Sequence, residues 1–125
     1  MTGAVVEHAM VVATSDGRIA FWDDGAAELF GYSATEAVGQ SVDLIVPDDL
    51  RERHWAGFHR VMAGGDRHLA GATINLPVRL RDGTVLAFPA RFVHLDDPYG
   101  RPVGAMGIFA ARGGDEEPWT PVSPR

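Results

Sequence analysis

The chain has 125 residues, 46% hydrophobic and 22% charged, a composition that suits one globular domain with its own core. Seventeen acidic and 11 basic residues give a net charge of −6, which argues against a nucleic-acid-binding surface. The sequence contains no cysteine, which excludes disulfides, thiolate metal sites, cysteine nucleophiles and a flavin–cysteine adduct. Because no apolar run is long enough for a membrane span and no signal segment is visible, we expect a soluble, cytoplasmic protein.

The first third of the chain predicts a hairpin followed by short helices. Residues 1–8 form an unpatterned flank, and residues 9–22 predict two strands joined by a turn at 15–17. An aspartate at 23 or 24 can cap a short helix, because its carboxylate accepts the free amides of the first turn. The capping-box pattern S-A-T-E that begins at Ser33 predicts a second short helix.

The longest predicted helix covers residues 47–65, from a proline and two aspartates to a pair of glycines. Its apolar face contains the positions Leu50, His54, Phe58 and Val61. An imidazole thus lies in the middle of an apolar stripe, and Gly57 leaves space beside it where a side chain would be. Two interpretations remain open. His54 is either a core histidine beside a close backbone contact, the commoner case, or part of a helix that abuts a large flat ligand.

The second half of the chain predicts three strands, at residues 69–81, 84–95 and 102–111. Pro77 inside the first of them favours an edge position or a bulge, because proline has no backbone N–H to donate. The order of two strands, helices and three strands predicts an α+β domain with an antiparallel sheet. Residues 113–125 are rich in acidic residues and proline and are expected to form a flexible tail.

Alternation along the strand at 84–95 places Ala90, Phe92 and His94 on one face, with Arg91 and Val93 on the other. If the first face is the inner one, His94 points toward the core. A slip of one residue in the strand phase would put it in solvent instead.

Three segments carry a resemblance to a known family. GRIAFW with DDGAAELFGYSATEAVGQSVDLIVPDD, RLRDGTVLAFP, and GRPVGAMGIFAA together resemble PAS domains over residues 9–112. The resemblance implies a five-stranded antiparallel sheet with strand order 2-1-5-4-3, and helices over one face that enclose a ligand pocket. It also implies dimerisation through the N-terminal segment and the outer face of the sheet.

Within the family, the long helix looks most like that of the haem-binding PAS domains of oxygen-sensing histidine kinases. Their helix reads roughly R-x-R-H, and here residues 51–54 read R-E-R-H. The resemblance implies His54 as the axial ligand of b-type haem, with Arg60 and His68 at the haem propionates. That group has a further arginine that meets a propionate and responds to oxygen, and Ile74 occupies its position here. In this respect the chain departs from the oxygen-triggered switching of that group. Arg60 has the ordinary alternative of being a solvated helix residue.

Haem also needs an apolar slot that excludes water, and Gly57 would relieve crowding beneath the porphyrin plane. The residues that could line the slot are Leu50, Phe58, Val61, Leu69, Ile74, Leu76, Phe92 and Ile108. On the far side of the haem, His94 stands where gas-sensing relatives usually have an aliphatic residue. There it could ligate iron, hydrogen-bond to bound dioxygen or transfer protons. Met106 is a further candidate distal ligand if the last strand turns that residue inward.

These observations favour a stand-alone PAS sensor module that binds b-type haem through His54 for gas or redox sensing. Because no output segment is visible in the sequence, we expect a homodimer or a separate output protein to carry the signal. One alternative is a small haem enzyme with His94 as the distal acid–base residue, so catalysis is less favoured but open. The other is a haem-free PAS module that binds a small metabolite or a protein partner.

Overall fold

The computed structural model describes residues 6–64 and 72–118. The strands are β1 (His8–Thr14), β2 (Ile19–Trp22), β3 (Ile74–Arg79), β4 (Val85–Asp96) and β5 (Pro102–Ala110). The α-helices are α1 (Asp24–Phe30), α2 (Ala34–Ala37) and α3 (Arg51–Met62), and two 3₁₀ turns cover Val42–Leu44 and Asp48–Leu50. Among the described helices, none has the length and apolar character that crossing a bilayer requires.

The five strands form one antiparallel sheet with the order β2-β1-β5-β4-β3. This is the α+β arrangement and the strand order that the resemblance implies, and both predictions are confirmed. β3 lies at an edge of the sheet, so Pro77 occupies an edge strand, where a missing N–H is tolerated. β3 begins at Ile74 rather than at residue 69, and residues 65–71 lie outside the described part of the chain.

Two side-chain caps set the start of the short helices, as the sequence predicts. Asp23 accepts hydrogen bonds from the backbone N–H of Ala26 at 2.8 Å and of Met10 at 3.0 Å, so it caps α1 and ties it to β1. Ser33 and Glu36 form the reciprocal capping box of α2. The Glu36 carboxylate also pairs with Arg81, whose hydrogen bond lowers the Glu36 pKa to about 2.

The long helix begins later than the sequence predicts. Residues after Pro47 first form the 3₁₀ turn, in which the Leu50 N–H donates to the Pro47 carbonyl at 2.9 Å, and the α-helix starts at Arg51. Among the described residues, no side chain caps the first turn of α3, and the Arg51 N–H donates instead to the Asp48 carbonyl of the 3₁₀ turn. The helix ends at Met62, and Gly64 adopts a positive φ of 86° just after it.

The densest part of the core lies between α1 and the sheet. The Phe30 ring meets Phe88 and Phe109 edge-on, with centroid distances of 5.2 Å and 5.0 Å. The Trp22 ring contacts Phe30 from the β2 side at 5.8 Å. All four side chains are buried, so this end of the molecule is filled by its own aromatic residues.

Candidate functional site

The core is less complete under α3 than under α1. α3 packs against β5, yet none of its twelve residues is buried. The residues on its apolar face, His54, Phe58 and Val61, are all half-buried. A helix that covers a sheet without burying any side chain leaves apolar surface that a ligand can cover.

His54 is the polar group in this half-buried apolar surface. Its ring lies parallel to Phe58, at 24° with centroids 6.0 Å apart, and edge-on to Trp55 at 4.8 Å. Its Nδ1 atom is buried and makes no hydrogen bond within the described part of the chain. Burial lowers the pKa of His54, and the opposing effect of the Asp43 charge is smaller. The imidazole is therefore held neutral, with one nitrogen free to bind a ligand.

Gly57 marks open space on α3. Among the described residues, a Cβ built at Gly57 would have no atom within 4 Å apart from its immediate chain neighbours and its own helix backbone. The close backbone contact that would explain this glycine in a filled core is therefore absent from the described residues. A flat group that approaches His54 would meet no side chain at this position.

The facing wall is the inner side of β3, β4 and β5. Ala90 is buried in the core with 1% exposure, and alternation puts Phe92 and His94 on its face of β4. Val93, between them, is 40% exposed on the opposite face. His94 therefore lies on the inner face, half-buried, in the strand phase that the sequence predicts.

Neighbouring strands complete this wall. Directly opposed residues of an antiparallel pair share a face, so the pair Ile74–Ala90 places Ile74 on the inner side. On the other flank, Phe92 is opposite Gly107 of β5. A Cβ at Gly107 would approach the Phe109 ring to 2.9 Å, so the glycine makes room for aromatic rings on this face.

Ile108 does not belong to this wall, and its assignment to the pocket lining is wrong. Ile108 is opposite Arg91 on β4 and Met10 on β1, which puts it on the outer face of the sheet. The residue of β5 that enters the core is its neighbour Phe109. Met106 shares the outer face with Ile108, opposite Val93, and is not available as a distal ligand.

The positions expected at the haem propionates are only partly covered by the structure. Arg60 lies near the C-terminal end of α3 and is exposed, which fits both a partner for an anionic edge and a solvated arginine. His68 and Leu69 lie outside the described residues. Leu50 and Leu76 are half-buried, and Leu76 packs against the core.

Trp55 is a site residue that the sequence reasoning missed. Its indole packs partly into the core, and its Nε1–H donates to Asp43 Oδ1 at 2.7 Å. The turn glycine Gly17 lies under the ring, and a Cβ there would overlap Cη2 and Cζ3 of Trp55. The sequence feature that could have identified Trp55 is its position directly after His54, outside the apolar face of the helix.

The donor set of the site is small. Within residues 6–64 and 72–118, no three His, Asp or Glu side chains come together as a metal-binding cluster. A shallow open depression of about 420 Å³, lined by residues 28–31 and 80–82, includes none of the histidines. The candidate site thus offers the imidazole of His54 on α3, a second imidazole, His94, on the inner face of β4, and half-buried apolar side chains on both elements. That donor set fits a flat cofactor whose iron takes a single protein nitrogen.

Comparisons with known proteins agree with the fold. Residues 6–111 match the PAS fold family. The chain is 34% identical over 79 residues to the sensor protein FixL of Bradyrhizobium diazoefficiens, which covers 63% of this chain and 16% of that protein. It is 27% identical over 74 residues to the oxygen sensor protein DosP of Escherichia coli, covering 59% of this chain and 9% of that protein.

A solved structure supports the same assignment. The PAS domain of a protein from Colwellia psychrerythraea matches with a TM-score of 0.69 and 25% identity, covering 82% of this chain and 83% of that one. The chain thus spans a whole domain of this kind but only a small part of the two curated sensors. Because the family match covers most of the sequence, the chain belongs to the PAS fold family.

Proposed function

We propose that this chain is a sensor module that binds b-type haem, with His54 as the iron ligand, and responds to a gas or to redox state. The observation that carries the proposal is the buried Nδ1 of His54, which has no hydrogen-bond partner among the described residues. Since burial also keeps the imidazole neutral, a lone pair is available to iron. The similarity to a sensor protein and to an oxygen sensor protein supports the sensing role.

Each wall of the site has a role in this proposal. Haem, when bound, would supply an iron that takes a diatomic gas or changes oxidation state. Gly57 leaves room for the ring plane next to α3, while Phe58, Ile74 and Phe92 exclude water from its faces. Arg60 is exposed, as a partner of a carboxylate at the edge requires. His68 and Leu69 lie outside the described residues. The role of His68 at a propionate rests on the family resemblance, and that of Leu69 in the lining rests on its apolar side chain.

The test is a haem titration of the purified protein in ferric, ferrous and ferrous–CO forms. We expect a sharp Soret band that saturates at one haem per chain and shifts with CO. His54→Ala should lose this band, whereas His59→Ala should keep it, because His59 lies exposed on the same helix. Stoichiometric haem in His54→Ala would refute the ligand assignment. Broad free-haem absorbance in the wild type would refute haem binding and favour a module for a small metabolite or a protein partner.

A second candidate function is haem-dependent catalysis, which the position of His94 favours. Its imidazole lies on the inner face of β4, where an acid–base group could take up a proton from a bound reactant and return it. The discriminating measurement is peroxide-dependent oxidation of a one-electron donor by the haem-loaded protein. An enzyme should lose turnover in His94→Leu while keeping its haem. Equal, background-level rates in both proteins would refute catalysis and leave the sensor.

Output of the signal is proposed to pass through a homodimer or a separate output protein. The outer face of the sheet exposes Met10, Phe21 and Val93, which are 37%, 48% and 40% exposed. Exposed apolar groups on one face suit contact with a second chain. Light scattering of the haem-loaded protein would give twice the chain mass for a dimer. A monomer under the same conditions would favour a separate output protein.

A further inference from the structure

The Trp55 indole is held between two parts of the chain that are remote from α3. Its Nε1–H donates to Asp43 Oδ1 at 2.7 Å, from the turn Val42–Leu44. Its six-membered ring lies against Gly17, in the turn between β1 and β2, so closely that only glycine fits there. The position of the indole is therefore restricted by a directional hydrogen bond and by close packing against the backbone at Gly17.

These two anchors are themselves tied together. The Val42 N–H donates to the Gly17 carbonyl at 3.0 Å, which joins the hairpin turn to the turn that carries Asp43. The Ser41 hydroxyl accepts from the Asp43 N–H at 3.1 Å and fixes the aspartate backbone. From α3, an Arg51 guanidinium N–H donates to the Asp43 carbonyl at 3.3 Å. Asp43 thus has little freedom to move with the indole.

The fixed indole presents its ring to His54. The two rings meet edge-on, with centroids 4.8 Å apart and planes at 76°. On another side the Phe58 ring lies nearly parallel to the imidazole, at 24°. Because His54 Nδ1 makes no hydrogen bond within residues 6–64 and 72–118, no hydrogen bond at that atom orients the imidazole. The two aromatic contacts restrict the orientation of the ring instead.

We propose that Asp43, acting through the Trp55 indole, is a positioning residue that sets the orientation of the His54 imidazole. The inference rests on the proposed function in one respect, namely that His54 is the group that meets the ligand. Partners that orient a metal-binding histidine commonly affect metal affinity by about 10- to 100-fold when they hydrogen-bond to it directly. An aromatic contact is weaker, so we expect a loss of about 3- to 10-fold in haem affinity.

The test uses two readouts and four variants. In haem-free protein at about pH 8, where histidine is neutral, NMR follows the His54 ring C–H signals and the Trp55 indole N–H signal. Asp43→Ala and Trp55→Phe should both move the His54 signals. Asp43→Asn should restore them, because its amide oxygen still accepts from the indole. Asp48→Asn is the matched control, since Asp48 also pairs with Arg51, at 3.2 Å, and does not bond to the indole.

The second readout is the dissociation constant for haem, which should rise in Asp43→Ala and Trp55→Phe and recover in Asp43→Asn. Unchanged His54 signals in Asp43→Ala, with the indole signal displaced, would overturn the proposal, as would unchanged haem affinity. If Asp43→Ala does not fold, Trp55→Phe provides the comparison through haem affinity alone, because the loss of the indole ring current moves the His54 signals in any case. If the wild type binds no haem but the variants change the His54 signals as expected, the proposed function is refuted and the positioning role is supported.

Discussion

The contact between Gly17 and Trp55 gives a prediction whose size follows from the structure. Gly17 has a φ of +79°, and a Cβ there would overlap the Trp55 ring. Gly17→Ala therefore incurs two costs, a left-handed backbone and a steric overlap. Gly83 provides the matched control, because its φ is +89° and an added Cβ would have no atom of the described residues within 4 Å.

The two costs can be separated by comparing these variants. An L-residue in the left-handed region loses about 1–2 kcal/mol, which applies to Gly17→Ala and Gly83→Ala alike. Forcing a methyl group into packed side chains adds about 1–3 kcal/mol, which applies to Gly17→Ala alone. We expect a total loss of about 2–5 kcal/mol at Gly17 and about 1–2 kcal/mol at Gly83.

The assay is equilibrium unfolding in urea, followed by far-UV circular dichroism so that removing a tryptophan does not alter the signal. The free energy of unfolding comes from the midpoint and the slope m, and a constant m supports comparison between variants. A third variant combines Gly17→Ala with Trp55→Ala. Because the indole is gone, the added cost of Gly17→Ala in that background should fall to the value for Gly83→Ala.

Equal losses for Gly17→Ala and Gly83→Ala would refute the reasoning. So would a Gly17→Ala cost that persists unchanged when Trp55 is replaced by alanine. Either result would mean that the indole does not lie against the hairpin turn, and the proposed positioning of His54 would lose one of its two anchors.

Three further predictions concern the helix, an ion pair and the histidine. Gly57→Ala should raise the free energy of unfolding of the haem-free protein by up to about 1 kcal/mol, since alanine favours helix, and should weaken haem binding in titration. Glu36 has a folded pKa of about 2, below its unfolded value, because Arg81 donates to it. The contribution of the ionised Glu36 to the free energy of unfolding is present above its unfolded pKa and is lost as the pH falls toward about 2. In Glu36→Gln, the free energy of unfolding measured in urea should therefore change less with pH in that range. Burial lowers the His54 pKa, so the unfolded state protonates first and wild-type stability should fall below about pH 6.5. His54→Gln should remove that slope.

Each of these has a control in the chain. Gly25→Ala in α1 should destabilise, because its Cβ would collide with the His8 carbonyl, and a loss of stability at Gly57 as well would mean that the space beside α3 is filled. Glu28→Gln, at an exposed position of α1, should leave the acid slope unchanged. His59→Gln should retain the slope that His54→Gln removes, and a slope that survives in both variants would contradict burial of His54.

The sequence by itself determined the elements and their order. The cap at Asp23 and the capping box at Ser33 are local hydrogen-bonding patterns, so they specify helix starts without reference to the rest of the chain. Alternation along β4 put Ala90, Phe92 and His94 on one face, but the burial of Ala90 in the structure was needed to show that this face is the inner one. The motif-level resemblance then led to the strand order that the structure has.

Tertiary structure alone decided which residues meet. β5 is apolar at nearly every position, so its sequence shows no alternation that would identify the inner face. Only its pairing with β1 and β4 shows that Phe109 faces the core and Ile108 the outer side. Trp55 and Asp43 are twelve residues apart, and no local rule connects a tryptophan on one helix to an aspartate in a preceding turn. Contacts of that kind depend on how the helix settles on the sheet, and they are the ones that hold His54 in place.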